Sequence, residues 1–323
     1  MAQVIHVHDY GGPEVLRIDE VPDPVPGRGQ VVARVAAAGV NFFDTQLRSG
    51  LYRRGALPLA LGNEGAGTIE AAGPDVSDFH AGDRVAWIMA PGSYATHVAV
   101  DAGRLVHLPA EVSFETAAAV LFQGCTAHYL SHASFALGPG KACLIHSAAG
   151  GVGLLLCQMA KLLGARVIGA VSTETKADAA RAAGADHVLL YSADIVAEIK
   201  RLTSGRGVDV VYDAVGKDSF VQSLDSLRPR GSLVLYGEAS GLVPPFDVRE
   251  LLFRGSLSLT RTGLDHHLAD RAEFLRRTGD VMRWVAQGKL GPRIGHRFSL
   301  AEAAGAHRAI ESRGTIGKVL LVP

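Results

Sequence analysis

Two rhythms of apolar and polar positions divide the chain. From the start to about residue 120, apolar runs are short and closely punctuated. Val4 to Val7, Leu16 to Val21 and Val31 to Ala38 are strand candidates. Gly11-Gly12-Pro13, then Pro22, Pro24 and Pro26, then Gly27 and Gly29 mark the turns between them. Gly65 to Ala71, Arg84 to Met89, Tyr94 to Val100 and Leu105 to Leu108 continue the pattern. Many short strands with frequent turn signals predict a β-rich, barrel-like domain. Pro109 then precedes a helical stretch over Glu111 to Ala119.

From about Leu121 to Gly241 strands and helices alternate. Strands are expected over Ala142 to Ile145, Arg166 to Val171, Val188 to Leu190, Val208 to Asp213 and Ser232 to Tyr236. Helices are expected over Leu154 to Leu163, Lys176 to Ala183, Ile195 to Thr203 and Phe220 to Leu227. Such alternation predicts a doubly wound α/β fold with a parallel sheet. Ser256 to Thr260 reads as a further strand and Arg271 to Gln287 as a helix. The stretch after Ser299 to Ser312 reads as helical, and Lys318 to Val322 as a closing strand.

The first strand–helix junction carries chemistry. Ala148-Ala149-Gly150-Gly151-Val152-Gly153 follows a strand and opens a helix. It matches the dinucleotide fingerprint, with Ala148 in the first glycine slot. Gly150 lets backbone approach a pyrophosphate, Gly153 lets the helix sit close to the strand, and the helix N-terminus offers free N–H groups. A site for NAD carries Asp or Glu at the end of the second strand, roughly 20 residues past the glycines, to bind the ribose 2′-hydroxyl. Here Ser172 and Thr173 stand there, and Lys176 follows. A carboxylate repels a 2′-phosphate, whereas a hydroxyl and an ammonium hold one. The expected cofactor is therefore NADPH, the alternative being that Lys176 only decorates a helix start.

Composition narrows the partners. The chain has 323 residues, 48% hydrophobic and 20% charged, which suits two globular domains with a large core. Equal counts of 32 basic and 32 acidic residues argue against nucleic acid or a membrane surface as partner. Cys125, Cys143 and Cys157 lack paired spacing and read as buried, reduced thiols. No stretch reads as a signal peptide or reaches spanning length, so the cytosol is the expected location.

Several local motifs run in register from one end to the other. They include Gly39-Val-Asn41-Phe-Phe-Asp44, Arg48-Ser-Gly-Leu-Tyr52, Gly62-Asn-Glu64-Gly-Ala-Gly67 and Ala81-Gly-Asp-Arg-Val85. Ala148 to Gly153, Val211-Tyr-Asp-Ala-Val-Gly216, Tyr236-Gly237 and Glu311-Ser-Arg313 follow. As a set they resemble the medium-chain dehydrogenase/reductase superfamily, and within it the zinc-free quinone oxidoreductase (zeta-crystallin-like) branch. The resemblance implies a β-rich GroES-like catalytic domain over 1–121 and 290–323 and a Rossmann domain over 122–289.

It also implies roles. Zinc-dependent relatives place a cysteine near Asn41 and a His-Glu pair at Asn63-Glu64. Amides are poor zinc ligands and no four-cysteine run exists, so no metal is expected. His6/His8 and His266/His267 read as solvated. Without zinc, hydrogen bonds must activate the acceptor, which suits a quinone or enone better than an isolated ketone. Tyr52 is the candidate donor to the substrate oxygen, with a loop aromatic as alternative. Asn41 is implied beside the nicotinamide or its ribose, with a turn residue as alternative. Gly150, Gly151, Val152 and Gly153 are implied at the pyrophosphate, and Ser172, Lys176 and Tyr191 at the 2′-phosphate and adenine side. Thr126, Gly237 and Arg313 are implied nearer the nicotinamide half or the cleft. Tyr191 reads alternatively as a strand-end aromatic, and Arg313 as a basic residue complementing a helix dipole. Gln46 stands where related quinone reductases often carry an aromatic. The expected activity is NADPH-dependent reduction of a quinone. The alternatives are an enone or alkenal double-bond reductase and a non-enzymic NADPH-binding structural protein. The alternating Ser256-Leu-Ser-Leu-Thr260 segment suggests a homodimer paired along a strand edge.

Overall fold

The computed structural model describes all residues from Met1 to Pro323. The chain begins with strands β1 (Ala2–Val7), β2 (Leu16–Val21) and β3 (Gln30–Val40), then helix α1 (Phe42–Arg48). Strands β4 (Leu59–Ala60), β5 (Glu64–Ala72), β6 (Arg84–Ile88), β7 (His97–Asp101) and β8 (Leu105–His107) follow, then helix α2 (Phe114–Tyr129). Next comes the alternating region: β9 (Ala142–His146), α3 (Gly151–Leu162), β10 (Arg166–Val171), α4 (Glu174–Ala182), β11 (His187–Leu190) and α5 (Ile195–Leu202). It continues with β12 (Val208–Asp213), α6 (Phe220–Asp225), β13 (Leu227–Leu235), α7 (Arg249–Phe253), β14 (Ser258–Arg261) and α8 (Leu264–His267). The chain closes with α9 (Arg271–Ala286), β15 (Ile294–Ser299), α10 (Ala303–Glu311) and β16 (Lys318–Val322).

Two compact units result, Met1–Phe122 with Arg271–Pro323, and Gln123–Asp270. The second break differs from the expected one at residue 290. The amphipathic period of α9 announces a buried face but not what that face meets. In the structure Arg271 at its start donates to the Gly103 carbonyl at 2.6 Å, just before β8, so α9 groups with the first unit.

The first unit is β-rich. β2, β1 and β4 form an antiparallel three-stranded sheet. A seven-stranded sheet runs β15-β16-β3-β5-β6-β8, with β7 also paired to β3. Its core gathers Ile5, Val7, Val31, Val35, Trp87, Leu105 and Leu321, all buried. The Trp87 indole N–H finds a buried acceptor in the Ser93 hydroxyl at 2.9 Å, as a buried indole requires. Three elements escape the hydrophobic pattern, α1, the two-residue β4 and β15. α1 starts at Asn41 in a reciprocal cap, in which the Asp44 carboxylate takes the Asn41 amide N–H at 2.8 Å. β15 pairs parallel with β16, although Gly295, His296 and Arg297 are exposed and hide its strand character.

The second unit is a six-stranded, wholly parallel sheet ordered β11-β10-β9-β12-β13-β14. This is the doubly wound dinucleotide-binding order, and its direction reverses beside β9, the strand that feeds the glycine turn. Leu144, Ile168, Val211, Leu224 and Leu233 pack in its core. β9 and β12 are buried at every position, as central parallel strands covered on both faces must be.

Candidate functional site

In the second unit the glycine turn leads from β9 into α3. Gly150 is the residue before the helix and is extended (φ −74°, ψ 171°). The first intrahelical bond runs from the Leu154 N–H to the Gly150 carbonyl at 2.9 Å. The amides of Gly151, Val152 and Gly153 therefore lie ahead of the helix ladder, where an anion is favoured. Gly153 is needed for close packing: a Cβ there would strike the Ser147 carbonyl oxygen and come within 2.8 Å of the Ala148 backbone. Ala148 is fully buried, and a Cβ on Gly169 of β10 would come within 2.9 Å of its methyl. The alanine in the first glycine slot is thus matched by a glycine on the neighbouring strand.

Adjacent strand ends bring more of the expected residues together. Ser172 follows β10, and Thr173 caps α4 by accepting from the Lys176 N–H at 3.4 Å. The Lys176 ammonium donates to the Ser172 hydroxyl at 3.2 Å. One turn of helix thus puts a hydroxyl and a cation side by side beyond the strand. Glu174 is exposed.

Tyr191 follows β11, and its hydroxyl accepts the Ser147 amide N–H at 2.9 Å. It is also 3.2 Å from Nδ1 of His146, and the two rings are parallel within 1°. Nε2 of His146 lies 3.1 Å from the Ser223 hydroxyl, which donates to Asp213 at 2.7 Å. The partners fix the proton order. The Ser223 hydroxyl proton goes to Asp213, so His146 donates from Nε2 and accepts from Tyr191 at Nδ1. Burial pushes the His146 pKa down, against the pull of Asp213, which keeps the ring neutral. Asp213 takes further donors from the Ser219 hydroxyl at 2.7 Å and from the Val215 and Gly216 amides at 2.8 and 3.1 Å. Tyr191 therefore both ends a strand and pins the first residue of the glycine turn, Ser147, which holds the left-handed conformation (φ 52°).

Gly237 lies just beyond β13, and its N–H is 3.3 Å from the Asp213 carbonyl. A Cβ there would meet the Ala214 carbonyl oxygen at 2.8 Å. Thr126 is buried within α2. The side chain of Gln123, also on α2, occupies the space that a Cβ on Gly151 would need.

The first unit holds a buried ionic cluster. Asn41 donates through Nδ2 to Glu64 at 2.9 Å and accepts at Oδ1 from the Lys318 ammonium at 2.8 Å. Lys318 also pairs directly with Glu64. The other Glu64 oxygen takes the Phe122 N–H at 2.8 Å. Glu64 and Lys318 are 0% and 1% exposed. Asp44 receives the Asn63 amide at 2.7 Å and the Tyr94 hydroxyl at 2.8 Å, besides its bond from the Asn41 N–H. Burial pushes the Asp44 carboxyl up to about 6 even so, because desolvation outweighs these donors.

Lys318 escapes a reading of motifs because it sits 277 positions from Asn41 in a strand that otherwise reads as apolar. A lone lysine opening a buried strand is the only local signal. The cluster and the helix cap leave Asn41 one amide hydrogen uncommitted, and fix where it points. Tyr52 follows α1 and is half-buried, with its ring 5.9 Å from that of Phe43. Arg313 is exposed beyond α10 with φ 56°, and its N–H bonds the Ile310 carbonyl at 3.2 Å, the place of a helix-terminating residue.

The alcohol dehydrogenase GroES-like domain model matches residues 27–110, and the zinc-binding dehydrogenase model matches residues 151–275. The chain is 44% identical to a quinone oxidoreductase of Pseudomonas aeruginosa over 326 aligned positions, covering 100% of both. It is 41% identical to a 2-haloacrylate reductase of Burkholderia, covering 100% of this chain and 99% of that protein. Among solved structures, the Escherichia coli quinone oxidoreductase complexed with NADPH superposes with a TM-score of 0.97 at 39% identity, covering 99% of this chain and 100% of that one.

The zinc in one model's description does not fit the residues here. At the points where zinc-dependent relatives carry ligands, Asn41 and Asn63 offer neutral amides, and the Lys318 ammonium already neutralises Glu64. A second cation beside that ammonium would be repelled. With both domain models matched in order and full-length relatives at this identity, the chain belongs to the medium-chain dehydrogenase/reductase superfamily, in its quinone oxidoreductase branch.

Proposed function

We propose that this chain is an NADPH-dependent quinone oxidoreductase that works without a metal. One observation carries the cofactor half. Where an NAD site would carry an acid, Ser172 and Lys176 stand 3.2 Å apart, beside a bare glycine turn. When bound, NADPH supplies a hydride from C4 of its nicotinamide.

The chain's residues bind and orient. The amides of Gly151, Val152 and Gly153 hold the diphosphate, with Gly150 giving backbone access. Ser172 and Lys176 hold the 2′-phosphate, with Tyr191 on the adenine side. Thr126, Gly237 and Arg313 serve the nicotinamide half. Asn41, with its amide fixed by Glu64 and Lys318, offers its remaining donor beside the nicotinamide or its ribose. Tyr52 donates a hydrogen bond to the acceptor oxygen. A quinone spreads incoming electron density onto an oxygen remote from the attacked atom, so one phenolic donor suffices where a metal is lacking.

The 2-haloacrylate reductase relative, and Gln46 in place of an aromatic, favour a second reading: reduction of an activated carbon–carbon double bond. Turnover of NADPH against a panel of benzoquinones, naphthoquinones, alkenals and 2-haloacrylates separates the two. Quinone turnover above that of every alkene supports the first reading. No quinone turnover overturns it.

A homodimer belongs to the same proposal. β14 forms one edge of the parallel sheet and is exposed at every residue. Leu242, Val248, Leu252, Phe253 and Leu259 are exposed in the same unit, an apolar surface that pairing through the edge would cover. The reduced state of Cys125, Cys143 and Cys157, all buried, suits a cytoplasmic location. No helix is long and apolar enough to cross a membrane.

A further inference from the structure

We propose that His6, His8 and Asp19 form a binding site for a divalent transition-metal ion of the zinc class, clamping β2 to β1. The period-two alternation of a strand puts His6 on the face of β1 opposite Ile5 and Val7, which enter the core, and His8, the residue just past the strand, continues on that face. On β2, Arg17 pairs across from His6 and Asp19 pairs across from Val4, so Asp19 shares that face. Nδ1 of His6 and Nε2 of His8 meet the same carboxylate oxygen of Asp19, at 2.7 and 2.8 Å. The two imidazoles stand nearly perpendicular, at 87° with centroids 6.1 Å apart, so their nitrogens converge without the rings stacking. The three ligand atoms lie within 4.8 Å of one another.

Two imidazoles and a carboxylate are a donor set that zinc accepts, with water completing four-coordination. Ligand atoms about 2.0–2.2 Å from a tetrahedral ion sit roughly 3.3 Å apart, so each ring nitrogen needs to draw back from the Asp19 oxygen by less than an ångström. A metal needs a lone pair on the nitrogen of each ring that faces Asp19, with the ring proton on the nitrogen facing away. Arg17 opposes a cation here, but it is exposed and can turn its guanidinium to water. The site uses none of the groups assigned to NADPH or to the acceptor. It lies on the strand pair that begins the chain, where His6 and His8 read in sequence as solvated.

Titration of the metal-free, full-length protein with zinc chloride, and separately with cobalt(II) followed by its visible bands, tests this. One equivalent should bind with low-micromolar affinity. His8→Ala and Asp19→Asn should each weaken binding about tenfold or more, while His80→Ala leaves it unchanged. Zinc should raise the melting temperature of the parent protein and of His80→Ala, but not of His8→Ala. Quinone turnover of all three variants should match the parent. Absence of saturable binding, or one equivalent bound equally by His8→Ala and Asp19→Asn, overturns the proposal.

Discussion

The two units bury polar groups in opposite ways. The first encloses ions: Glu64 and Lys318 are paired inside it, with Asp44 alongside. The second encloses neutral His146 and Ser223, which link the exposed Tyr191 at one end to a single buried acid, Asp213, at the other. Burying an ion pair costs desolvation that its attraction rarely exceeds, so the ionic cluster is a device for position rather than stability. It holds the amide of one residue, Asn41, in a single orientation. The neutral chain holds backbone instead. Through Ser147 it fixes the bend before α3 and leaves the helix-start amides outside any ladder. One unit presents a side chain and the other a stretch of main chain, and each has the buried network suited to that task.

Breaking the ionic cluster should have the largest effect. Lys318→Met leaves Glu64 buried without its cation and should destabilise the protein by about 3–5 kcal/mol in denaturant unfolding. Adding Glu64→Gln should restore more than half of that loss. A double variant no better than the single one would mean that Lys318 acts by packing alone. In the second unit, Lys176→Ala should weaken NADPH by about 10–100-fold, the worth of a charge-assisted hydrogen bond or two, and leave NADH nearly unchanged by titration calorimetry. Equal losses for the two would remove the lysine from the 2′-phosphate. Tyr52→Phe should lower kcat with a quinone about tenfold while the dissociation constant for NADPH stays put; an unchanged kcat would leave it a packing residue.

The smallest effect concerns pH. Burial and the Arg48 guanidinium lower the His307 pKa to about 3. The folded protein therefore keeps His307 neutral where the unfolded chain takes up a proton. Its contribution is complete above the ordinary histidine value of 6.5 and is lost as pH falls toward 3. Asp44, raised to about 6, works the other way: its contribution is complete below the ordinary carboxylate range and fades as pH rises through 6. Comparison with His307→Asn isolates the first term. The melting-temperature difference, parent minus variant, should shrink by several degrees between pH 7 and pH 5. A constant difference would show that the ring is not buried neutral.

The same contrast explains what could be read from the chain. The second unit is built from local grammar. A strand, a small-residue turn and a helix announce themselves within a few residues, and the glycine turn, Ser172, Tyr191 and Gly237 all follow strand ends, whereas Thr126 lies within α2. Val208 to Asp213 was legible to the residue because a central parallel strand is apolar throughout. The first unit depends on distant pairs. Asn41 reads as a turn residue because an N-cap and a turn share the same local chemistry, and the helix it starts is only seven residues long. Nothing near Lys318 says that its partners are Asn41 and Glu64, since only the antiparallel pairings of β16 with β3 and of β3 with β5 bring them together. The boundary before α9 differs from the expected one for the same reason: period shows a buried face, not its partner.

The central claim is that a bare turn and a cation, with no acid at the sugar, select the phosphorylated dinucleotide. Titrating the unmodified protein with NADPH and with NADH under identical buffer and salt tests it most directly. At least tenfold tighter binding of NADPH is the result expected from the Ser172–Lys176 pair. Equal affinities, or tighter binding of NADH, would contradict it.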